Sequence, residues 1–334
     1  MDKRVFVTGG TGFVGSNLVR LLVQQGYEVR ALVRTLPPNH NLADLEGQLE
    51  LVTGDINDPQ LADYMKGCRG LFHVAALYSL WQKDRELLYQ VNVLGTRNVL
   101  LAAQKAGIER IVHTSSVAAI GVKPQGQIAD ESYQSPPEKL VGAYKQSKYW
   151  AEQEARKAAQ RGQEVVIVNP STPIGPGDIK PTPTGNLILR FLRHQMPAYV
   201  DTGLNLIDVR DVAWGHLLAY QKGRSGDRLI LGHQNLSFLE ILGQLSQITG
   251  YPVPQRTLPL WLPLGVAWVQ EKVLAPWGQS PSVAIDGVRM SVEKMYYDAS
   301  LAVRELNLPQ SSIPQALTDA VNWFYERGYA QRKP

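Results

Sequence analysis

A glycine-rich turn near the N-terminus constrains the fold more than any other feature of the sequence. The run Arg4 to Thr8 is apolar and β-branched, which predicts a buried strand, and three glycines spaced three residues apart follow it at once. Glycines at this spacing permit a tight turn, close approach of the backbone to a pyrophosphate, and close packing of the next helix on the strand. An ordinary glycine-rich turn is the alternative, but the position after a buried strand favours dinucleotide binding. The residues predicted to contact the dinucleotide here are Gly9, Gly12, Phe13, Val14 and Gly15.

Residues 4–169 alternate short β-branched runs with longer amphipathic segments. This alternation predicts parallel strands joined by crossover helices, and therefore a Rossmann-type α/β fold with a doubly wound parallel sheet. The predicted strands are Arg4–Thr8, Glu28–Val33, Leu49–Thr53, Gly70–Ala75, Arg110–Thr114 and Glu164–Asn169. The predicted helices are Gly12–Gln25, Pro59–Lys66, Arg85–Ala106 and Gly142–Gln160.

The composition changes after Asn169, where prolines and glycines form a long loop that resists regular structure. We expect residues 1–170 to form the dinucleotide-binding domain. Residues 171–334 are expected to form a smaller, mainly helical substrate-binding cap, from which short segments can return to the first domain. The elements predicted in this half are a helix at Asn186–His194, a strand at Asn205–Val209, a helix opening at Asp211, a strand at Arg228–Leu231 and further helices.

Composition narrows the function classes. The 334 residues are 44% hydrophobic and 19% charged, as in globular proteins, and a net charge of +4 without a dense basic run does not call for a nucleic-acid partner. A single cysteine, Cys68, cannot form an internal disulfide, and the N-terminus lacks a secretory signal pattern, so we expect a cytoplasmic protein. No His, Asp and Glu set has metal-site spacing, and we expect no metal. The three histidines on or next to apolar elements are predicted core residues: His73, His113 and His216.

The stretch from Leu258 to Val269 is apolar throughout and contains Trp261 and Trp268. Twelve residues are too few for a helix to span a bilayer core of about 30 Å. The simpler interpretation is a cap helix packed on the sheet domain. The alternative is a surface that contacts lipid or covers the substrate, which the tryptophans favour.

A second motif carries the predicted chemistry. Tyr144 and Lys148 are four residues apart in a predicted helix and share one face, and Ser116 follows the fifth strand. A nearby ammonium favours the phenolate of a tyrosine, which suits Tyr144 to act as general acid or base. Ser116 can hydrogen-bond the same substrate oxygen. Chance spacing becomes an unlikely explanation when this motif accompanies the glycine-rich turn.

Two positions bear on the choice of cofactor. No acidic residue ends the second strand, where NAD-binding proteins hold the ribose hydroxyls, and Arg34 stands there instead. Arg34 can contact a 2′-phosphate, which favours NADP over NAD modestly, or it can stack on the adenine or be an ordinary surface residue. Asp55 and Ile56, after the third strand, are placed to meet the adenine, although Asp55 can equally be a helix cap.

These motifs together resemble the extended short-chain dehydrogenases/reductases, the group of NAD-dependent epimerases, dehydratases and dihydroflavonol reductases. The resemblance covers nearly the whole chain, and it includes the strand end at Phe72–Ala76. It implies that Tyr144 is the catalytic acid/base, that Lys148 bridges to the nicotinamide ribose and that Ser116 orients the substrate. The further residues that it implies at the cofactor are Ala75, Ala76, Asn92, Pro170 and Pro173.

Three motifs in the loop and cap, at 169–176, 181–185 and 196–206, carry a narrower resemblance, since they are similar to those of the hopanoid-associated sugar epimerase subfamily. The segment Ile207–Asp211 departs from the subfamily's usual Val-His-Val-Asp-Asp, which puts a substrate contact through Asp208 or Arg210 in doubt. The implied function is hydride transfer at a carbinol or carbonyl carbon of a small molecule. The enzyme is then either a net NADPH reductase of the dihydroflavonol reductase type or an epimerase acting on a sugar or a hopanoid-pathway intermediate. A non-catalytic NADP-sensing regulator is the alternative from another class, and the oligomeric state, including a homodimer, is left open.

Overall fold

The computed structural model describes residues 3–35, 40–258, 261–271, 285–290 and 293–332. The strands are β1 Arg4–Thr8, β2 Glu28–Val33, β3 Glu50–Thr53, β4 Gly70–His73, β5 Arg110–Thr114, β6 Val165–Pro170, β7 Thr172–Ile174, β8 Gly203–Asp208, β9 Arg228–Leu231, β10 Gln234–Ser237 and β11 Lys294–Met295. The helices are α1 Phe13–Gln24, α2 Leu61–Tyr64, α3 Arg85–Leu88, α4 Gly95–Ala106, α5 Val117–Ile120, α6 Gly142–Gln160, α7 Pro183–Leu192, α8 Val209–Lys222, α9 Phe238–Thr249, α10 Trp261–Val269, α11 Ile285–Met290, α12 Ser300–Leu306 and α13 Ile313–Glu326.

Seven parallel strands form the central sheet in the order β3-β2-β1-β4-β5-β6-β9. Alternate residues of each strand point to opposite faces, and both faces are apolar because a helical layer covers each of them. Val7, Val112 and Val166 pack in a core shared with α1 and α8. Phe6 and Ile111 pack in a second core shared with α4 and α6. The doubly wound sheet predicted from the sequence is confirmed.

The strand predicted at Arg228–Leu231 is β9, and it pairs with β6 as the seventh strand of the central sheet. One predicted element needs correction. The helix expected over Arg85–Ala106 is interrupted by a π-helical turn at Tyr89–Leu94. Periodicity cannot detect this turn, since one inserted residue shifts the helix face by about 100° while the segment stays amphipathic.

The C-terminal half builds a second, smaller sheet in the order β10-β8-β11, with β7 also pairing β8. Helices α7, α9 and α13 cover it, and the buried core of this unit includes Leu206, Leu242 and Phe324. Helix α8 packs against α1, so this part of the C-terminal half lies on the central sheet. The division at residue 170 stays a prediction, because the chain crosses between the two sheets more than once.

The apolar stretch at 258–269 contains α10, whose Trp261 and Trp268 are 70% and 56% exposed. Positions 259 and 260 lie outside the described residues. Over the part of the chain that the structure describes, no helix has both the length and the apolarity needed to cross a membrane. The three predicted core histidines, His73, His113 and His216, are fully buried, as is Cys68.

Candidate active site

The glycine-rich turn has a backbone that only glycine permits. Gly9 has a φ of +73°, and a Cβ atom there would lie 2.5 Å from the amide nitrogen of Ala75. A Cβ atom at Gly15 would overlap the carbonyl oxygen of Gly9. Helix α1 begins after Gly12 with no side-chain cap and no acidic residue in its first turn. Its positive end and first-turn amides therefore suit an anion such as a pyrophosphate, and the fold fits a bound dinucleotide.

The proline-rich loop after β6 lies against this turn. Asn17 Nδ2 donates to the carbonyl oxygen of Pro176 at 3.1 Å, and Asn41 Nδ2 donates to those of Thr11 and Gly177. Phe13 and Pro173, both predicted cofactor residues, line one small cavity at this junction. Pro170 is the last residue of β6. The structure thus brings the predicted pyrophosphate and nicotinamide segments to the same edge of the sheet, where open α/β folds bind their ligands.

The predicted adenine-side residues lie at the ends of β2 and β3. Arg34 directly follows β2 and is exposed. Asp55 Oδ1 accepts hydrogen bonds from the amide of Asn57 at 3.0 Å and from its side chain at 3.1 Å, so this oxygen stabilises a local turn. The side chain of Ile56 is buried against Gly95. A contact of Ile56 with adenine would therefore be made through its backbone.

The side chain of Asn92 forms its hydrogen bonds with other groups of the protein. Its side chain accepts from the amide of Leu77 at 2.7 Å and donates to the carbonyl oxygen of Leu77 and to Ser147 Oγ, both at 2.9 Å. The residue is buried in the π-helical turn, and its three bonds hold the loop after β4 against α6. Two predicted cofactor residues directly precede Leu77. The amide of Ala75 donates to Thr8 Oγ1 at 3.3 Å, and Ala76 is exposed.

The three predicted catalytic residues meet at the carboxyl ends of β5 and β6. Ser116 is the N-cap of α5, and its hydroxyl accepts from the amide of Ala118 at 3.1 Å. Lys148 is buried and donates to the carbonyl oxygen of Thr114 at 2.9 Å. Tyr144 lies one turn before it on the same face of α6, within hydrogen-bonding reach of the Ser116 hydroxyl.

Burial sets the charge states of two of these residues, Tyr144 and Lys148. It raises the pKa of Tyr144 to about 12, although the hydrogen bond with Ser116 lowers it. Burial lowers the pKa of Lys148 to about 8, and the negative charge of Glu152 opposes that change. At neutral pH, without a cofactor, Tyr144 is therefore a protonated phenol and Lys148 is an ammonium.

Sequence reasoning missed Glu152, the residue that ties the site together. Its carboxylate is buried and accepts from Ser115 Oγ at 2.6 Å and from Asn169 Nδ2 at 2.8 Å. Arg228 of β9 pairs with its other oxygen at 3.0 Å, and Asn169 also donates to the carbonyl oxygen of Ser116. One side chain thus joins the catalytic helix to β5, β6 and β9. Its spacing of four residues after Lys148 was the available signal.

Two more unpredicted contacts surround Tyr144. The ring of Tyr78 packs against that of Tyr144, with centroids 4.4 Å apart. The buried Lys145 pairs with Glu293 at 2.5 Å, which joins the catalytic helix to the segment that leads into β11. No periodic pattern marks these residues, because each contact joins segments that are far apart in the chain.

The segment that departs from the expected subfamily pattern forms a structural ion pair. Asp208 is buried and caps α8 through the amide of Arg210 at 2.8 Å, while the Arg210 guanidinium binds Asp208 and also Asp319 of α13 at 2.6 Å. The hydrogen bonds that its guanidinium donates to Asp208 and Asp319 raise the pKa of Arg210, so its charge is permanent. These groups hold the cap together.

Comparison with known proteins identifies the family. Residues 5–232 match the NAD dependent epimerase/dehydratase family. The chain belongs to this family. It is 71% identical over 330 residues to a putative dihydroflavonol 4-reductase of Synechocystis sp., covering 98% of this chain and 96% of that protein. It is 36% identical over 326 residues to sterol demethylase protein B of Methylococcus capsulatus, covering 96% and 98%. The crystal structure of gox2253 is 42% identical, with a TM-score of 0.86 over 98% of this chain and 100% of that one.

Membership agrees with the extended short-chain dehydrogenase/reductase resemblance seen in the sequence, which is confirmed. The protein is an NAD(P)-dependent oxidoreductase or epimerase.

Proposed function

We propose that the protein is an NADPH-dependent carbonyl reductase that converts a ketone or aldehyde to an alcohol. The observation that carries this proposal is the geometry of the trio: Tyr144 is within hydrogen-bonding reach of the Ser116 hydroxyl and one helical turn from the buried Lys148, and burial keeps its phenol protonated. A reductase needs a proton donor at the carbonyl oxygen, and a phenol that stays protonated at neutral pH is suited to donate rather than to accept. The same trio serves an epimerase, in which Tyr144 must also remove a proton.

In this reaction the residues of the protein bind and protonate one atom, the carbonyl oxygen of the substrate. A reduced nicotinamide, when bound, supplies the hydride that forms the new C–H bond at the carbonyl carbon. The hydroxyls of Ser116 and Tyr144 hydrogen-bond the carbonyl oxygen, and Tyr144 transfers its proton to that oxygen as negative charge develops there. The ammonium of Lys148 then stabilises the Tyr144 phenolate until solvent returns the proton.

We propose that Arg34 makes NADPH the preferred cofactor. It is exposed at the end of β2, where a 2′-phosphate would lie, so its charge-assisted hydrogen bonds are partly screened by solvent. Replacing Arg34 by Asp should weaken NADPH binding by roughly ten- to a hundredfold, at about 1.4 kcal/mol per decade, with little loss for NADH. Fluorescence titration of both nucleotides measures this. Equal affinities that the Arg34→Asp change does not alter would show that Arg34 does not hold the phosphate.

The substrate class follows from the relatives and stays a proposal. A dihydroflavonol and a sterol are both ring compounds of low polarity, and the proteins named for them match almost the whole chain. We therefore place a ring-containing ketone before a sugar as the substrate. The sugar or hopanoid-pathway epimerase is the second candidate, supported by the family's epimerase members.

Nucleotide analysis separates these candidates. The purified protein is denatured, and any released nucleotide is identified and counted. A reductase should release substoichiometric NADP and should oxidise NADPH in a one-to-one ratio with the alcohol formed. Stoichiometric, non-exchangeable NAD would support the epimerase. Tight NADP binding without turnover of any carbonyl compound would support the non-catalytic sensor.

Three further predictions from the sequence concern lipid contact, oligomeric state and location, and they remain proposals. We propose that the exposed Trp261 and Trp268 make peripheral contact with lipid, and cosedimentation with anionic vesicles, lost in a double Ser variant, tests this. Light scattering measures whether the protein is a homodimer. Fractionation tests the proposed cytoplasmic location, which rests on Cys68 being the single cysteine of the sequence.

A further inference from the structure

We propose that Tyr78 is a substrate-recognition residue whose ring forms one wall of the reaction cleft and selects flat, ring-containing carbonyl compounds. This inference rests on the proposed reductase function and deepens it. The observation behind it is the ring contact between Tyr78 and Tyr144, with centroids 4.4 Å apart and ring planes inclined by 58°. A second aromatic side chain thus lies directly against the residue that donates the proton.

The loop that carries Tyr78 is held on both sides. Asn92 fixes the amide and the carbonyl group of Leu77 on one side. On the other side Ser79 Oγ donates to Asp84 at 2.5 Å and accepts from the amide of Trp81 at 3.1 Å. Tyr78 lies between these anchors, so its backbone is held before a substrate binds, and its ring packs on that of Tyr144. Such preorganisation is what a recognition residue needs.

The same loop spans from the catalytic helix to the cap. Leu80 packs against Gly287 of α11, where a Cβ atom would lie 3.1 Å from its side chain. The carboxyl group of Asp286, also on α11, lies against Gly142 at the start of α6, where a Cβ atom would be 3.1 Å away. The beginning of α6, the Tyr78 loop and α11 therefore lie against one another, and Tyr144 belongs to the first turn of α6.

Tyr78 is both enclosed and accessible. Its side chain leaves the residue 41% exposed, yet the surrounding protein and the neighbouring Tyr144 raise the pKa of its hydroxyl far above the usual value. Tyr78 thus offers a partly exposed ring face beside Tyr144. Aromatic pairs are stabilised by their ring geometry in addition to the area they bury, so a flat ring gains more from this wall than an alkyl chain does.

The test measures binding and turnover separately. Binding uses the Tyr144→Phe background, which keeps the ring contact but lacks the proton donor. Calorimetry gives the Kd of cinnamaldehyde, a flat aromatic probe, and of hexanal, an alkyl probe, with the protein saturated in NADPH. Tyr78→Leu should raise the Kd of cinnamaldehyde about tenfold and that of hexanal less than threefold. Tyr78→Phe should stay within threefold for both.

Tyr89 provides a matched control, since it is also 41% exposed but lies in the π-helical turn. Tyr89→Leu should leave both dissociation constants unchanged. Equal losses for the two probes in Tyr78→Leu, or no binding of cinnamaldehyde to the parent, would overturn the recognition role. The reductase proposal has its own readout, oxidation of NADPH by the wild type. If Tyr78→Leu selectively lost cinnamaldehyde binding while the wild type did not oxidise NADPH, the reductase proposal would be overturned. Tyr78 would still be a recognition residue.

Discussion

Two buried carboxylates tie distant elements of this protein together, and they do different work. Glu152 and Asp208 each have side chains only 1% exposed, and each is paired with arginine. The partner of Asp208, Arg210, is 47% exposed and reaches Asp319 on the outside of the cap. Glu152 has two arginine partners: Arg156, one turn later in α6, is 35% exposed, whereas Arg228 is only 7% exposed. The pair of Asp208 with Arg210 therefore borders water, whereas the pair of Glu152 with Arg228 is desolvated on both sides.

The neighbours of the two carboxylates differ as well. Glu152 bonds Ser115 and Asn169, which adjoin Ser116 in the chain or contact its carbonyl group. Asp208 bonds groups at the start of α8 and none of the predicted catalytic residues. The comparison shows that similar ion pairs can fix the geometry of an active site in one place and the packing of a cap in another. Variants can separate the two roles.

The largest effect is expected for Glu152→Gln, which leaves Arg228 buried beside a neutral amide. Breaking a buried ion pair by removing one partner typically costs about 3 to 5 kcal/mol of unfolding free energy. Because the amide cannot accept from all of the present donors, Ser115 and Asn169 should shift, and kcat should fall at least tenfold. Urea unfolding and steady-state kinetics measure the two quantities.

Glu154 supplies the control on the same helix. Its partners Arg97 and Lys157 are about half exposed, so Glu154→Gln should cost less than about 1 kcal/mol and leave kcat unchanged. If Glu152→Gln changed the unfolding free energy and kcat as little as Glu154→Gln, the bonds of Glu152 would not fix the positions of the catalytic residues.

A smaller effect, of opposite sign, is expected for Lys148→Met. Burial lowers the pKa of Lys148 from 10.5 to about 8, so folding is opposed by its ammonium below pH 8, and that penalty fades as pH rises from 8 to 10.5. At about 1.4 kcal/mol per pKa unit, the penalty that Lys148→Met removes is about 3 kcal/mol of unfolding free energy. The variant also loses the hydrogen bond to Thr114, which lowers its stability by about 1 kcal/mol.

Lys148→Met should thus be about 2 kcal/mol more stable than wild type at pH 7, with the gain gone near pH 10.5, while turnover is lost. Urea unfolding at the two pH values measures it. A variant that is less stable than wild type at pH 7 would show that the ammonium is well solvated by its surroundings.

The smallest effect is expected for Arg210→Met. Because Arg210 is 47% exposed, water replaces its guanidinium at the Asp208 carboxylate, which also keeps the bond from the backbone amide of residue 210, and the loss should be about 1 kcal/mol. The kinetic constants should stay within twofold of the wild type, since the ion pair holds α8 to α13 away from Tyr144. A tenfold fall in kcat/KM without a change in stability would place Arg210 at the substrate, against this account.

Much of the sheet was predictable from the sequence for a physical reason. Arg4–Thr8, Glu28–Val33 and Arg110–Thr114 have the predicted bounds because strands covered on both faces are continuously apolar and end at polar residues or glycines. The catalytic helix Gly142–Gln160 also has its predicted bounds. The spacing of Tyr144 and Lys148 predicted their shared face, because helix geometry fixes which side chains are neighbours.

What the sequence did not predict depends on contacts between distant segments. The small sheet joins β7, β8, β10 and β11, and each of these strands is six residues or shorter and separated from its partners by loops or helices. The partners of Glu152 come from three strands, and the partner of Tyr78 from a helix 66 positions later. Local propensity carries no information about such pairings.

The central claim is that Tyr144 donates the proton to a carbonyl oxygen from a site that binds the cofactor independently of that hydroxyl. Tyr144→Phe tests it most directly, because it removes one oxygen atom and keeps the ring against Tyr78. Single-turnover NADPH oxidation and NADPH titration are measured on the same preparation. The account predicts that the reduction rate falls by about a thousandfold or more, at the level of general acid catalysis together with oxyanion stabilisation, while the Kd for NADPH changes less than threefold. A variant that keeps a tenth of the wild-type rate would contradict it.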